Sequence, residues 1–183
     1  MSEGYLKLIL GPMFSGKTSQ LITIYQHNKI ADISTCVINY EEDNRYHDTM
    51  LSSHDRRMIS CLKLRKISEI FDSYPDILQD MRAFIINEGQ FFEDLYDGVT
   101  KLVNDCHKIV YVGGLDGDYR MKKFGQMLDL IPLADEVKKL RAICTKCKRP
   151  APFTKRLSQE TSQKVIGSDN YIPVCRRCHH IKN

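Results

Sequence analysis

A chain of 183 residues, 42% hydrophobic and 27% charged, is long enough for one α/β core and a small appendage and too short for two full domains. No apolar run approaches the ~20 residues that span a membrane, and the opening MSEGYLKL lacks the basic and apolar regions of a secretory leader, so the expected setting is cytoplasmic. A formal charge of +4 favours anionic ligands without implying nucleic acid.

Tyr5, Leu6, Leu8, Ile9 and Leu10 make a short β-type run, and Leu21, Ile22, Ile24 and Tyr25 repeat at helical spacing. Between them Gly11, Pro12, Met13, Phe14, Ser15, Gly16, Lys17 and Thr18 spell G-x-x-x-x-G-K-T. In such a loop backbone N–H groups wrap a polyphosphate, the lysine reaches the outer phosphates and the threonine hydroxyl reaches Mg²⁺. The strand before and helix after place a helix N-terminus at the phosphates, and the chain is expected to handle a nucleoside triphosphate such as ATP. Thr35 to Tyr40 reads as a second strand. Just past it stand Asp43, Asn44 and Arg45, where an open α/β sheet places its ligands. His47 to Cys61 is polar without clear period and predicts a loop. Ile67, Ile70, Phe71 and Tyr74 follow helical spacing up to Pro75, which ends that helix or begins another.

Arg82 to Asn87 predicts a buried central strand. In enzymes of this architecture a strand beside the phosphate loop ends in an acid. Here the strand ends in Asn87 and the acid is Glu88, placed to take a proton from an attacking hydroxyl. Leu95, Val99, Leu102, Val103 and Cys106 give one apolar helix face, and Lys108 to Val112 a further strand. Gly113 to Tyr119 is a glycine-rich strand exit. Phe124, Met127, Leu128 and Ile131 predict a short helix closed by Pro132, and Val137 to Ile143 a last strand leading out of the sheet.

Beyond it Cys144-x-x-Cys147 and Cys175-x-x-Cys178 form two thiolate knuckles whose facing turns suit a tetrahedral, closed and therefore structural Zn²⁺. His179 or His180 could stand in for Cys178. An odd total of cysteines argues against a disulfide framework, and Cys36, Cys61 and Cys106 read as buried inert thiols. Lys148 to Val174, pinned at both ends, reads as a lasso that closes over a ligand, with Val165 to Gly167 offering backbone groups and Tyr171 an aromatic face. The predicted architecture is a P-loop parallel sheet with flanking helices over 1–143 and a zinc-binding lasso subdomain over 144–183.

GPMFSGKT, EDNRY, EGQFF, LDG, Phe124-Gly125, TKRL from Thr154, VIG from Val165 and both cysteine pairs occur in one order, and in this the chain resembles the type II thymidine kinases over nearly its whole length. The resemblance implies transfer of the ATP γ-phosphate to the 5′-hydroxyl of thymidine. It implies triphosphate binding by Gly11 to Thr18, with Asp43, Asn44, Arg45, Asn87 and Gln90 near the phosphates and metal, and Glu88 as proton acceptor. Met13, Phe91, Leu115, Tyr119, Phe124, Thr154 and Tyr171 are implied around the nucleoside, and Gln163, Lys164, Val165, Ile166 and Gly167 as the lasso backbone that holds the base. A homotetramer inhibited by thymidine triphosphate is implied as well. Three positions depart from the family pattern. Asn87 replaces the Asp of DEGQFF, Tyr119 replaces the usual Phe so that its hydroxyl needs a partner, and Gln163 stands where an apolar residue is common. Two other readings compete: a zinc-ribbon ATPase that contacts nucleic acid through Lys146, Lys148, Arg149, Arg176 and Arg177, and a nucleotide-binding homologue weakened in catalysis by Asn87.

Overall fold

The computed structural model describes residues 3–42, 50–52, 58–164 and 169–181. A six-stranded sheet, parallel throughout, forms its centre: β1 (Tyr5–Leu10), β2 (Thr35–Tyr40), β5 (Leu62–Leu64), β6 (Ala83–Ile86), β7 (Ile109–Gly114) and β8 (Glu136–Lys139) lie in the order β5-β2-β6-β7-β1-β8. Side chains alternate across a strand, which divides the core. Leu8, Leu10, Ile38, Phe84, Ile86 and Val112 face one side, where they meet Ile67, Ile70, Leu95, Val99 and Leu102. Ile9, Val37 and Ile85 face the other, against Leu21 and Ile22 of α1 (Lys17–Ile30). β6 is buried along its length, as the unbroken apolar run requires of a strand covered on both faces. β8 is exposed along its length, and its lysines and glutamate guard the sheet edge.

Three local expectations are corrected. Within the stretch expected to be a loop, β3 (Met50–Ser52) and β4 (Met58–Ser60) pair antiparallel, with Leu51 buried beside α1; strands this short carry no readable period. Residues 125–130 form successive turns rather than a helix, followed by a 3₁₀ turn at Ile131–Leu133. Gly125 has φ 55°, and Pro132 has no N–H to bond back along a helix. The expected last strand is two pieces. β8 joins the sheet, while β9 (Ala142–Ile143) pairs with β10 (Pro150–Ala151) outside it.

The remaining helices are short. α2 (Glu69–Asp72) and α3 (Pro75–Asp80) divide at Pro75 as expected, and α4 (Leu95–Thr100) runs on into a π turn at Lys101–Asp105. A separate small core of Ala142, Cys144, Ala151, Val174, Cys175 and Cys178 is framed by β9, β10, the hairpin of β11 (Phe153–Arg156) and β12 (Tyr171–Val174), and α5 (Arg176–His180). Among the described residues no helix is long and apolar enough to cross a membrane.

Candidate active site

The phosphate loop leaves β1 at Leu10 and enters α1 through Gly16, whose φ of 84° is open to glycine at no steric cost. No acid stands in the first turn of α1, so its N–H groups keep their attraction for an anion. Ser15 Oγ and Lys17 Nζ both donate to the Pro12 carbonyl, at 2.8 and 2.7 Å, and brace the loop from within. The Met13 N–H donates to Thr154 Oγ1 at 3.0 Å. Thr154 is buried on β11, so one hydrogen bond ties the phosphate loop to the cysteine-bearing part of the chain. Phe14 is exposed with φ 61°, and Thr18 is half-buried in the first turn of α1.

At the end of β6, Asn87 donates from its backbone to Ile38 O and from Nδ2 to Asn39 Oδ1 at 3.0 Å; both amides are buried. Glu88 follows with φ 55° and ψ 40°, a left-handed conformation that costs a non-glycine residue about 1 kcal/mol or more and is typical of functional sites. The 3₁₀ turn Gly89–Phe91 then carries Gln90 back against it. Gln90 Nε2 donates to Glu88 Oε2 at 2.6 Å, and Gln90 Oε1 accepts the Leu115 N–H at 2.9 Å. Gly125 lets the chain close over this brace, since a Cβ there would lie 2.2 Å from the Gln90 carbonyl. The strand that delivers Glu88 is not the immediate neighbour of the phosphate-loop strand. β7 runs between β1 and β6 and ends in Gly113 and Gly114, which keep side chains out of that end.

Aromatic rings line the ground beyond Glu88. Phe91 meets Phe124 edge-on at 5.6 Å and Tyr40 at 5.4 Å, while Leu115 and Phe124 are buried. Lys164 of the lasso reaches across, donating to Tyr40 Oη at 3.1 Å and Glu42 Oε2 at 2.6 Å, with its ammonium 5.4 Å from the Phe91 ring centre. Burial works against the Lys164 charge, but Glu42 and Tyr40 outweigh it and raise its pKa. Arg156, itself within the lasso stretch on β11, is buried against the arm that follows it. Its guanidinium donates to the carbonyls of Glu160, Ser162 and Gln163 and to Tyr171 Oη. The Tyr119 hydroxyl finds its partner in the Thr161 carbonyl at 3.0 Å. Gln163 Nε2 donates to Asp118 Oδ2 at 2.9 Å and to the Lys123 carbonyl at 3.2 Å. Burial would raise the Asp118 pKa, yet hydrogen bonds from Lys122, Gln163 and Arg120 hold it below the usual carboxylate value.

Cys144, Cys147, Cys175 and Cys178 converge, their sulfurs all within 4.8 Å of one another. Backbone N–H groups of Cys175, Cys147 and Lys146 overcome the burial of Cys144 and lower its pKa. The Arg149 guanidinium holds Cys147 down to about 6. Burial, with the neighbouring thiols, pushes Cys178 up to about 12, a cost that a bound dication removes. Four soft donors with amide and guanidinium support fit Zn²⁺. His179 is not needed as a ligand; its Nε2 lies 2.9 Å from the Tyr119 carbonyl. Two of the five cations expected of a nucleic-acid binder serve this region, Arg149 beside Cys147 and Arg176 over the Phe153 ring at 4.7 Å. Cys36, Cys61 and Cys106, expected to be buried, are each half-buried, and burial pushes the Cys36 thiol up to about 11.

A family model for thymidine kinase matches residues 4–179. The chain belongs to the thymidine kinase family. It is 41% identical over 180 residues to the thymidine kinases of Vaccinia virus (strain Western Reserve) and of Variola virus, and 39% identical to that of Monkeypox virus, in each case with 98% of both chains covered.

For this thymidine kinase family member the fold gathers Glu88, Gln90, Phe91, Leu115 and Phe124 around the ends of β6 and β7, and joins Met13 to Thr154. Tyr119, Gln163 and Tyr171 meet around Arg156, while Lys164 lies against Tyr40, Glu42 and Phe91. Asp43, Asn44, Arg45, Val165, Ile166 and Gly167 lie outside the described residues. Sequence reasoning passed over Arg156, Asp118 and Asn39. Arg156 had a signal: it follows Thr154 by two residues, and on a strand with period 2 it shares that residue's buried face. Asn39 had none, because its partner Asn87 is 48 residues away, and for Asp118 only the turn contacts with Arg120 and Lys122 are local, while its contact with the lasso through Gln163 is 45 residues away.

Proposed function

We propose that the protein transfers the γ-phosphate of ATP to the 5′-hydroxyl of thymidine, giving thymidine monophosphate for DNA precursor salvage. The observation that carries this reading is the braced Glu88, whose carboxylate is oriented by Gln90, itself held by the Leu115 N–H in the turn that carries Phe91. Gly11 to Thr18 hold the triphosphate, and the α1 N-terminus and Lys17 oppose the charge that builds on the transferring group. Glu88 accepts the proton of the attacking hydroxyl. Phe91, Leu115, Tyr119, Phe124, Thr154 and Tyr171 enclose the nucleoside, and residues 163–167 meet the base. Thr18, Asp43 and Asn87 would hold Mg²⁺ or its waters, and the ion would neutralise phosphate charge. Asn87 brings an amide where the family has a carboxylate, so turnover is retained but needs more Mg²⁺. Zn²⁺ in the four cysteines anchors the lasso, which with its subdomain spans 144–183. We assign the protein to the cytoplasm as a homotetramer inhibited by thymidine triphosphate, acting without nucleic-acid or membrane partners.

The test measures ADP release from ATP and Mg²⁺ with thymidine, with single- or double-stranded DNA, and with neither. Release with thymidine, and thymidine monophosphate by mass spectrometry, is expected. Stimulation by DNA alone would overturn the kinase reading in favour of the ATPase.

A further inference from the structure

Tyr119 and Gln163 converge on one junction. Tyr119 and Asp118 belong to the loop after β7, and Thr161 and Gln163 to the first arm of the lasso. The Tyr119 hydroxyl donates to Thr161 O, and the Gln163 amide donates to Asp118 Oδ2 and Lys123 O. The polar atoms that distinguish these residues from Phe and an apolar side chain are therefore spent on the lasso rather than turned to a base. The junction is hydrogen-bonded from both sides. The Asp118 side chain is 1% exposed and also accepts the backbone N–H groups of Arg120 and Lys122. Arg156 fixes the lasso from inside through the Glu160, Ser162 and Gln163 carbonyls, and its guanidinium stacks 3.9 Å from the Tyr119 ring centre.

We propose that Tyr119 and Gln163 are positioning residues that strap the lasso to the loop after β7 before any substrate arrives. The nucleoside then meets an arm of the lasso, residues 161–163, already held in place, and binding does not have to supply the cost of ordering that arm. The role in binding rests on the reading of residues 163–167 as the nucleobase site; the strap itself does not.

The experiment removes each polar group, Tyr119→Phe and Gln163→Val, singly and together, in the zinc-loaded protein. Trypsin cleavage after Lys164 is followed by mass spectrometry without ligand, and KM and kcat are measured for thymidine and ATP. A hydrogen bond of ordinary strength corresponds to a change of roughly twofold to tenfold. Each single variant is expected to be cleaved faster and to raise the thymidine KM by about that factor, and the double variant by more, with the ATP KM unchanged and kcat within about twofold. Unchanged melting curves distinguish loss of the strap from loss of the fold. Unchanged cleavage in the double variant would overturn the strap. Faster cleavage with an unchanged thymidine KM would overturn the positioning role. Absence of thymidine turnover in the natural protein would sink the kinase reading and that role with it, while the trypsin comparison would still decide the strap.

Discussion

Replacing Asn87 with Asp puts a carboxylate in a place already occupied by an amide pair. Asn87 and Asn39 are each 3% exposed, and Asn87 Nδ2 donates to Asn39 Oδ1 at 3.0 Å. A carboxylate there opposes oxygen to oxygen until the Asn39 amide turns over to donate. Burying the new charge costs several kcal/mol, and one charge-assisted hydrogen bond returns about 1.5–3 kcal/mol. A net loss of ~1–3 kcal/mol corresponds to a fall in Tm of roughly 3–10 °C for a chain of this size. With Mg²⁺ and ATP the balance reverses. A unit charge at ~4 Å from another is worth ~4 kcal/mol at an effective dielectric near 20. If intervening water leaves only a third of that, the Mg²⁺ concentration for half-maximal activity falls about tenfold. The assay is ADP formation against Mg²⁺ at saturating ATP and thymidine, paired with melting curves with and without Mg²⁺ and ATP. Asn87→Asp is expected to melt lower alone, to recover with ligand and to shift the titration to lower Mg²⁺. Superimposable titrations and equal melting temperatures would refute both the amide pair and the metal role of position 87.

Glu88→Gln keeps the shape and the contact with Gln90 but removes the proton acceptor; kcat should fall by ~10²–10⁴ with thymidine binding little changed, and an undiminished kcat would assign the base elsewhere. Cys144→Ser, or removal of zinc by chelation, should raise the thymidine KM and destabilise the region around β9 to α5 while ATP binding stays measurable; full activity in a preparation shown metal-free by elemental analysis contradicts this. Asp118, with its pKa lowered in the folded protein, contributes stability that is complete above the ordinary carboxylate range and is lost as pH falls through the lowered value. Melting curves from pH 7 to pH 3 should therefore drop more steeply for the natural protein than for Asp118→Asn, and parallel curves would deny Asp118 that role. The Lys164–Glu42 pair is partly exposed, so its hold on the lasso should weaken with salt; a Lys164→Met variant whose thymidine KM has the same salt dependence as the natural protein would show that the pair does not act there.

The features legible in the sequence are those whose physics is local. The phosphate loop depends on glycines and a lysine at fixed offsets, and the thiolate knuckles on two-residue spacings. The strands Ala83–Ile86 and Ile109–Gly114 were foreshadowed by the apolar run Arg82 to Asn87 and by Lys108 to Val112, though Gly113 and Gly114 were placed in the strand exit, and Glu88 stood out as the acid at the end of the first. Pairing across the sheet was not legible. Nothing in the spacing of Asn39 and Asn87 says that β2 lies beside β6, nor that β7 runs between β6 and β1, because sheet order is decided by how all the strands and helices bury their faces at once. The same holds for the turn that carries Gln90 onto Glu88, and for the hairpin from Met50 to Ser60, whose strands are too short to show a period. Arg156 marks the boundary between the two kinds of information. The sequence alone determined that the chain carries a polyphosphate loop, a central acid and a four-thiolate site with a long segment strung between its halves. The tertiary structure alone decided that a buried guanidinium holds that segment by its carbonyls, because a cation is tolerated inside only when several distant acceptors are brought around it together.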